Sequence, residues 1–170
     1  PRRVYRKDEL KDKPPQHLAC QRFMANAPGE AQLDMRLATE ERMVHMRRHY
    51  YAKITTVDEQ LGQVLDALEK RGWLDNCLLI FCSDHGELLG DHDLVYKWLM
   101  YDPIVHVPLM IRHPGSVEHP SQVKDLVSLM DIAPTVLESA GIDVPTYFEG
   151  RSLTPYLQGD PIEMTAEVVA

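Results

Sequence analysis

The chain has 170 residues, 44% of them hydrophobic and 26% charged, with a net charge of −8. That balance supports one domain with a real core and excludes a disordered chain. It also argues against a nucleic-acid footprint, and no apolar run approaches the roughly 20 residues a membrane helix needs.

The chain opens on Pro1-Arg2-Arg3 with no apolar leader region, so it reads as a piece of a longer protein. The basic cluster of Arg2, Arg3, Arg6 and Lys7 reads as a solvated end. A cytoplasmic location is favoured, with a periplasmic or secreted one if a signal peptide precedes Pro1. The three cysteines, at 20, 77 and 82, form no disulfide framework. Cys77 and Cys82 fall on an apolar stretch and are expected to be buried free thiols.

Residues 1–38 read as an extended, irregular segment, because Pro14-Pro15 and Pro28-Gly29 break long elements. From Thr39 the pattern changes. Met43, Met46, Tyr50, Ile54, Val57, Leu61, Val64, Leu65 and Leu68 recur at three- and four-residue steps. They form one apolar face of a helix of about 30 residues, or ~45 Å. Thr39 is its expected cap, Glu40 and Glu41 suit its first turn, and Gly72 its left-handed end. His45 and His49 share a face of it, but no third ligand is in view.

A strand over 77–82 follows, then a loop with Gly90, Asp91 and His92, and a weak helix over 94–101. Pro108–Arg112 is a second short strand, and Val127–Leu129 a third. Asp131 is expected to cap a helix running through Ala140, with Pro134 near its first turn and Gly141 beyond its end. A proline-punctuated tail closes the chain. Helices alternating with short buried strands favour an α/β fold with a mainly parallel sheet, incomplete in this chain. The organisation is therefore an irregular segment (1–38), the body of the domain (39–160) and the start of a truncated tail (161–170).

Chemistry concentrates in Leu78–His92, LLIFCSDHGELLGDH. An apolar strand breaks there into Ser83-Asp84-His85-Gly86-Glu87. Ligands in α/β sheets bind just beyond the carboxyl ends of strands, and Asp with His is a common donor pair for a divalent metal. Local chemistry leaves two readings open: Asp84 caps the next element and His85 is a satisfied surface group, or the two ligate an ion. Glu87 reads as a solvated or supporting carboxylate. Lys97 is thirteen residues past Asp84 and, beside a metal, would offset charge on an anionic substrate.

The run from Ser83 to Gly115 resembles the C-terminal half of the sulfatase family of alkaline-phosphatase-like hydrolases, which includes phosphonate monoester hydrolases. Four further pieces fit in order. They are Tyr51-Ala52-Lys53-Ile54 with Asp58 and Gly62, then Asp75–Ile80, then Ser128–Thr135 around D-x-A-P-T, and Gly150-Arg151-Ser152-Leu153. The resemblance covers about residues 50–160. It implies that Asp84 and His85 are metal ligands and that Lys97 contacts substrate oxygens. The implied metal is calcium or manganese. His85 stands where many members carry Asn, and His106 where the family often has Arg; His106 is read as structural.

The family nucleophile, a cysteine converted to formylglycine or a serine in a C-x-[PA]-S-R frame, matches neither Cys20, Cys77, Cys82 nor any serine here. The family's first aspartate pair is also missing. The expected function is therefore a fragment of a metal-dependent hydrolase of sulfate esters that is inactive alone. The alternatives are a phosphonate or phosphate ester hydrolase of the same superfamily, and a non-catalytic sulfatase-like binding domain. Expected partners are a small anionic ester and further copies of the chain through exposed sheet edges; no nucleic acid and no membrane span are expected.

Overall fold

The computed structural model describes residues 9–27, 34–114 and 122–159. In chain order the helices and strands are α1 (Pro15–Ala25), α2 (Glu40–Lys70), β1 (Leu79–Cys82), α3 (Asp102–Val105), β2 (Leu109–Arg112), α4 (Ile132–Ser139) and α5 (Thr154–Gln158). They divide into two compact units, Pro1–Leu65 with Ser83–Val107, and Asp66–Cys82 with Pro108–Ala170.

α1 lies where an irregular segment was expected. Pro15 occupies the first helical position, where its fixed φ and missing N–H suit a helix start rather than break it. The buried positions of α1 are His17, Gln21 and Met24. Two of these are polar, so no apolar stripe marks the helix. His17 sits beneath Tyr101, with Nδ1 2.7 Å from the tyrosine hydroxyl. Burial first, then the neighbouring His92 and Lys13, push the His17 imidazole below its ordinary value of 6.5.

α2 agrees with expectation. Its 31 residues begin after Thr39, whose hydroxyl accepts from the Arg42 amide at 3.2 Å. Its end is closed by Gly72 N–H to the Glu69 carbonyl (2.9 Å) and Trp73 N–H to the Leu68 carbonyl (3.0 Å), a Schellman pair. The core of the first unit gathers Met43 of α2 with Met24, Met35, Leu88, Leu94, Val95 and Ile104. Unbranched methionines suit the irregular gap between one helix and a looping chain.

That looping chain, 88–96, replaces the expected helix over 94–101. Leu89, His92, Asp93 and Tyr96 take φ of 49°, 56°, 55° and 66°. Such left-handed residues cost about 1 kcal/mol or more each and end any regular helix. The conformation is held from outside. Buried Arg47 donates from Nε to the Leu89 carbonyl (3.0 Å) and from Nη2 to Asp91 Oδ1 (2.7 Å). Gln21 donates to the His92 carbonyl at 3.2 Å.

In the second unit β1 and β2 pair antiparallel, Leu79 opposite Arg112 and Cys82 opposite Leu109. They form a two-stranded sheet, the one sheet among the described residues. Among the described residues the one strand pair is thus antiparallel, not one of the parallel pairs expected of a mainly parallel sheet. The chain between the strands, 83–107, brings β2 back in the opposite direction, and α/β sheets often carry such a strand. The expected third strand at 127–129 is also absent: Ser128 accepts from the Met130 amide and, with Asp131, caps a short 3-10 turn over Leu129–Asp131. Cys77 is half-buried, whereas Cys82 is exposed, against the expectation of burial; all three cysteines are free thiols.

α4 is the helix expected after Asp131. The buried Asp131 carboxylate accepts from the Ser128 amide (2.8 Å) and from the Arg151 amide (2.9 Å). Thr135 donates to the Asp131 carbonyl (2.5 Å) and accepts from the Leu153 amide (2.8 Å). Gly150 passes so close to this turn that a Cβ there would lie 2.1 Å from the Met130 carbonyl oxygen. The two separate runs, Ser128–Thr135 and Gly150–Leu153, are thus one hydrogen-bonded corner.

Candidate functional site

Asp84 and His85 follow β1 after a single residue, Ser83, whose hydroxyl donates to the His85 carbonyl at 2.8 Å. Asp84 Oδ1 accepts from the His85 amide at 2.9 Å, which leaves Oδ2 free of the backbone. His85 Nδ1 lies 2.8 Å from the Gly86 carbonyl oxygen. A carbonyl only accepts, so Nδ1 carries the proton and, in the neutral ring, Nε2 keeps its lone pair. Nε2 lies 3.5 Å from Asp84 Oδ2. The carboxylate is 82% exposed and the imidazole 34%.

This donor set has the chemistry of part of a divalent-cation site. The tautomer is the one a ligand histidine needs, and the oxygen and nitrogen are near enough to touch one ion. Among the described residues no group of three His, Cys, Asp or Glu side chains converges on a common point. The pair therefore fits as two donors of a larger set. An oxygen with an imidazole nitrogen suits manganese better than calcium, which prefers six to eight oxygens.

The turn is shaped by its neighbours. Gly86 donates to the Ile104 carbonyl at 2.8 Å. A Cβ at Gly86 would lie 1.7 Å from the Pro103 carbonyl oxygen, so no larger residue fits without moving α3. Glu87 is not a free carboxylate beside Asp84 and His85: its Oε1 accepts from the amides of Leu89 (3.1 Å) and Tyr96 (2.5 Å). The Leu88 amide also donates to the Tyr96 carbonyl at 3.3 Å. These bonds return the chain to the Asp84–Glu87 turn one residue before Lys97, which is exposed. His92 is half-buried and stacks on Tyr101, 4.1 Å between centroids and 16° from parallel. His106 ends α3, its amide bonded to the Asp102 carbonyl, and its side chain is exposed.

His45 and His49 do share a face of α2, with ring centroids 4.5 Å apart, and both are exposed. Sequence reasoning passed over His17 and Tyr101. They are 84 residues apart, and no local pattern joins them.

A family model described as Sulfatase matches residues 7–142. Arylsulfatase K of Bos taurus is 43% identical over 117 residues, which is 69% of this chain and 22% of that protein. The N-acetylglucosamine-6-O-sulfatase of Bacteroides thetaiotaomicron is 39% identical over 113 residues, 66% of this chain and 20% of that protein. The structure of a phosphonate monoester hydrolase from Silicibacter pomeroyi superposes with a TM-score of 0.81 at 31% identity, over 96% of this chain and 32% of that one. The chain spans about a fifth of the length of these curated relatives.

Proposed function

Because the chain belongs to the sulfatase family, with the alkaline-phosphatase-like α/β fold of its structural neighbours, we propose that it supplies part of the site of a sulfate-ester hydrolase. In this reading Asp84 Oδ2 and His85 Nε2 hold a divalent metal, and Lys97 contacts the oxygens of the transferring group. The observation that carries it is the 3.5 Å separation of those two donors, with the imidazole proton fixed on the far nitrogen by the Gly86 carbonyl. When bound, a divalent cation supplies charge against the oxygens of the ester.

The chain's own residues do the rest. The Gly86 carbonyl holds the His85 ring in one tautomer and one orientation. Glu87 ties the turn to Tyr96 and so sets where Lys97 leaves the backbone. The Lys97 ammonium then offsets the negative charge that develops on the sulfuryl oxygens. No cysteine or serine lies in the family's nucleophile frame, so the 170-residue chain alone is expected to turn over neither an aryl sulfate nor a phosphonate ester. Hydrolysis of either by the pure chain would refute that part.

A second reading, hydrolysis of phosphonate monoesters by the whole protein, is supported by the 0.81 superposition. It assigns the same roles to Asp84, His85 and Lys97, and differs in the chemical group these residues hold. Calorimetric titration of the chain with Mn²⁺ tests what both readings share. One weak site is expected, lost in Asp84→Ala and in His85→Ala; binding that survives both substitutions sinks the assignment.

A further inference from the structure

α2 carries a pair of metal-binding side chains that the ester-hydrolase reading does not use. His45 and His49 are four residues apart, so one turn of helix sets them side by side. Their ring centroids are 4.5 Å apart, and both side chains are exposed. Met43 and Arg47 are the buried positions of the helix. At 3.6 residues per turn the histidine pair stands roughly 160° around the axis from them. The same row continues through Ala52, Thr56 and Gln63, which are small or polar, whereas Ile54, Leu61 and Leu65 continue the row of Met43 and Arg47. The pair therefore lies on the solvent side of α2, away from the face that packs. Among the described residues neither imidazole is held by a hydrogen bond or an ion pair, so both rings can turn toward an ion.

We propose that His45 and His49 together bind one late first-row divalent cation, copper, nickel or zinc, as a two-nitrogen chelate on the surface of α2. Imidazole suits these metals, and the affinity of a nitrogen site falls along the series toward manganese. The helix holds the two donors one turn apart before the ion arrives, so little ordering is left for binding to impose. Side-chain rotation alone brings one nitrogen of each ring to the usual ligand distance of about 2.0–2.1 Å from a common ion. Among the described residues no third His, Cys, Asp or Glu completes a cluster. The remaining coordination positions therefore fall to water or to a donor from another molecule, and the ion exchanges readily. The Asp84–His85 pair mixes oxygen with nitrogen and suits manganese, so the two places select different metals. The site goes beyond the hydrolase reading and does not depend on a metal at Asp84.

The probe is Zn²⁺ alone, titrated into the 170-residue chain while the ring C–H signals of His45 and His49 are followed by NMR. Both rings are expected to shift together and to saturate with one Kd, below about 1 mM. In His45→Ala and in His49→Ala the remaining ring is expected to bind about tenfold or more weakly, because a single imidazole cannot chelate. Both positions are exposed and alanine favours a helix, so the variants keep the fold. Asp84→Asn is expected to leave the two shifts unchanged, which separates this site from the pair after β1. Mn²⁺ is expected to bind the histidine pair at least about tenfold more weakly than Zn²⁺. The proposal is overturned by any of four results: no saturating shift of both rings below about 1 mM Zn²⁺, equal affinity at the remaining ring in either single variant, loss of the shifts in Asp84→Asn, or Mn²⁺ binding the pair as tightly as Zn²⁺.

Discussion

Single residues at the turn after β1 carry most of the local specification. Gly86 is there because the α3 backbone leaves no room for a Cβ, at 1.7 Å from the Pro103 oxygen. Gly86→Ala is expected to cost about 1–3 kcal/mol or more, since the obstacle is backbone and cannot swing aside. A fall in the thermal midpoint measured by circular dichroism checks this; an unchanged midpoint would show that α3 is not held where the structure puts it. His17 makes a prediction in pH. Its folded imidazole is harder to protonate than in the unfolded chain, where it titrates near 6.5. As pH falls through 6.5 the unfolded chain takes up the proton first, so this group's contribution to stability declines, and keeps declining until the lower folded value is reached. His92, Lys13, Asp93 and the Tyr101 hydroxyl all face this ring. Urea unfolding at about pH 7.5 and about pH 5.5 is expected to show a smaller drop in His17→Gln than in the parent chain.

At the scale of elements, the corner between α4 and the Gly150–Leu153 turn depends on one carboxylate. Asp131→Ala leaves the amides of Ser128 and Arg151 without their acceptor, and both bonds are to a charged, buried group. A loss of about 2–4 kcal/mol is expected in denaturant unfolding; a loss under about 1 kcal/mol would mean water replaces the carboxylate there. This corner also shows what a sequence makes legible. Asp131 as a cap and α2 with its Thr39 start were readable, because capping and periodicity are local. α1 was not, because its buried face is His17, Gln21 and Met24 and mimics a polar surface. The 94–101 region, in turn, carries apolar residues at helical spacing. The left-handed residues just before it, from Leu89 to Asp93, are held from outside by Arg47 and Gln21, and no local rule anticipates that. At the candidate site the adjacency of Asp84 and His85 was legible, whereas the tautomer fixed by Gly86 and the backbone role of Glu87 depend on how the turn folds.

At the scale of the whole molecule, apolar surface is left uncovered within each unit. Ile54, Val57 and Val64 continue the apolar face of α2 but are about half exposed. In the other unit Met110 of β2 is 60% exposed and Tyr147 80%. Exposed surface of this kind marks contact with other protein, and a two-stranded sheet alone is marginal. The chain is therefore expected to self-associate as concentration rises; light scattering that reports a monomer at millimolar concentration would contradict this.

In the proposed site Asp84 and His85 share one metal ion close to Lys97. Paramagnetic broadening by substoichiometric Mn²⁺ tests it most directly, residue by residue, in the amide spectrum. The signals of Asp84, His85 and Gly86 are expected to vanish first and that of Lys97 next. Broadening that begins instead at His45 and His49, with the 84–86 turn untouched, would contradict it.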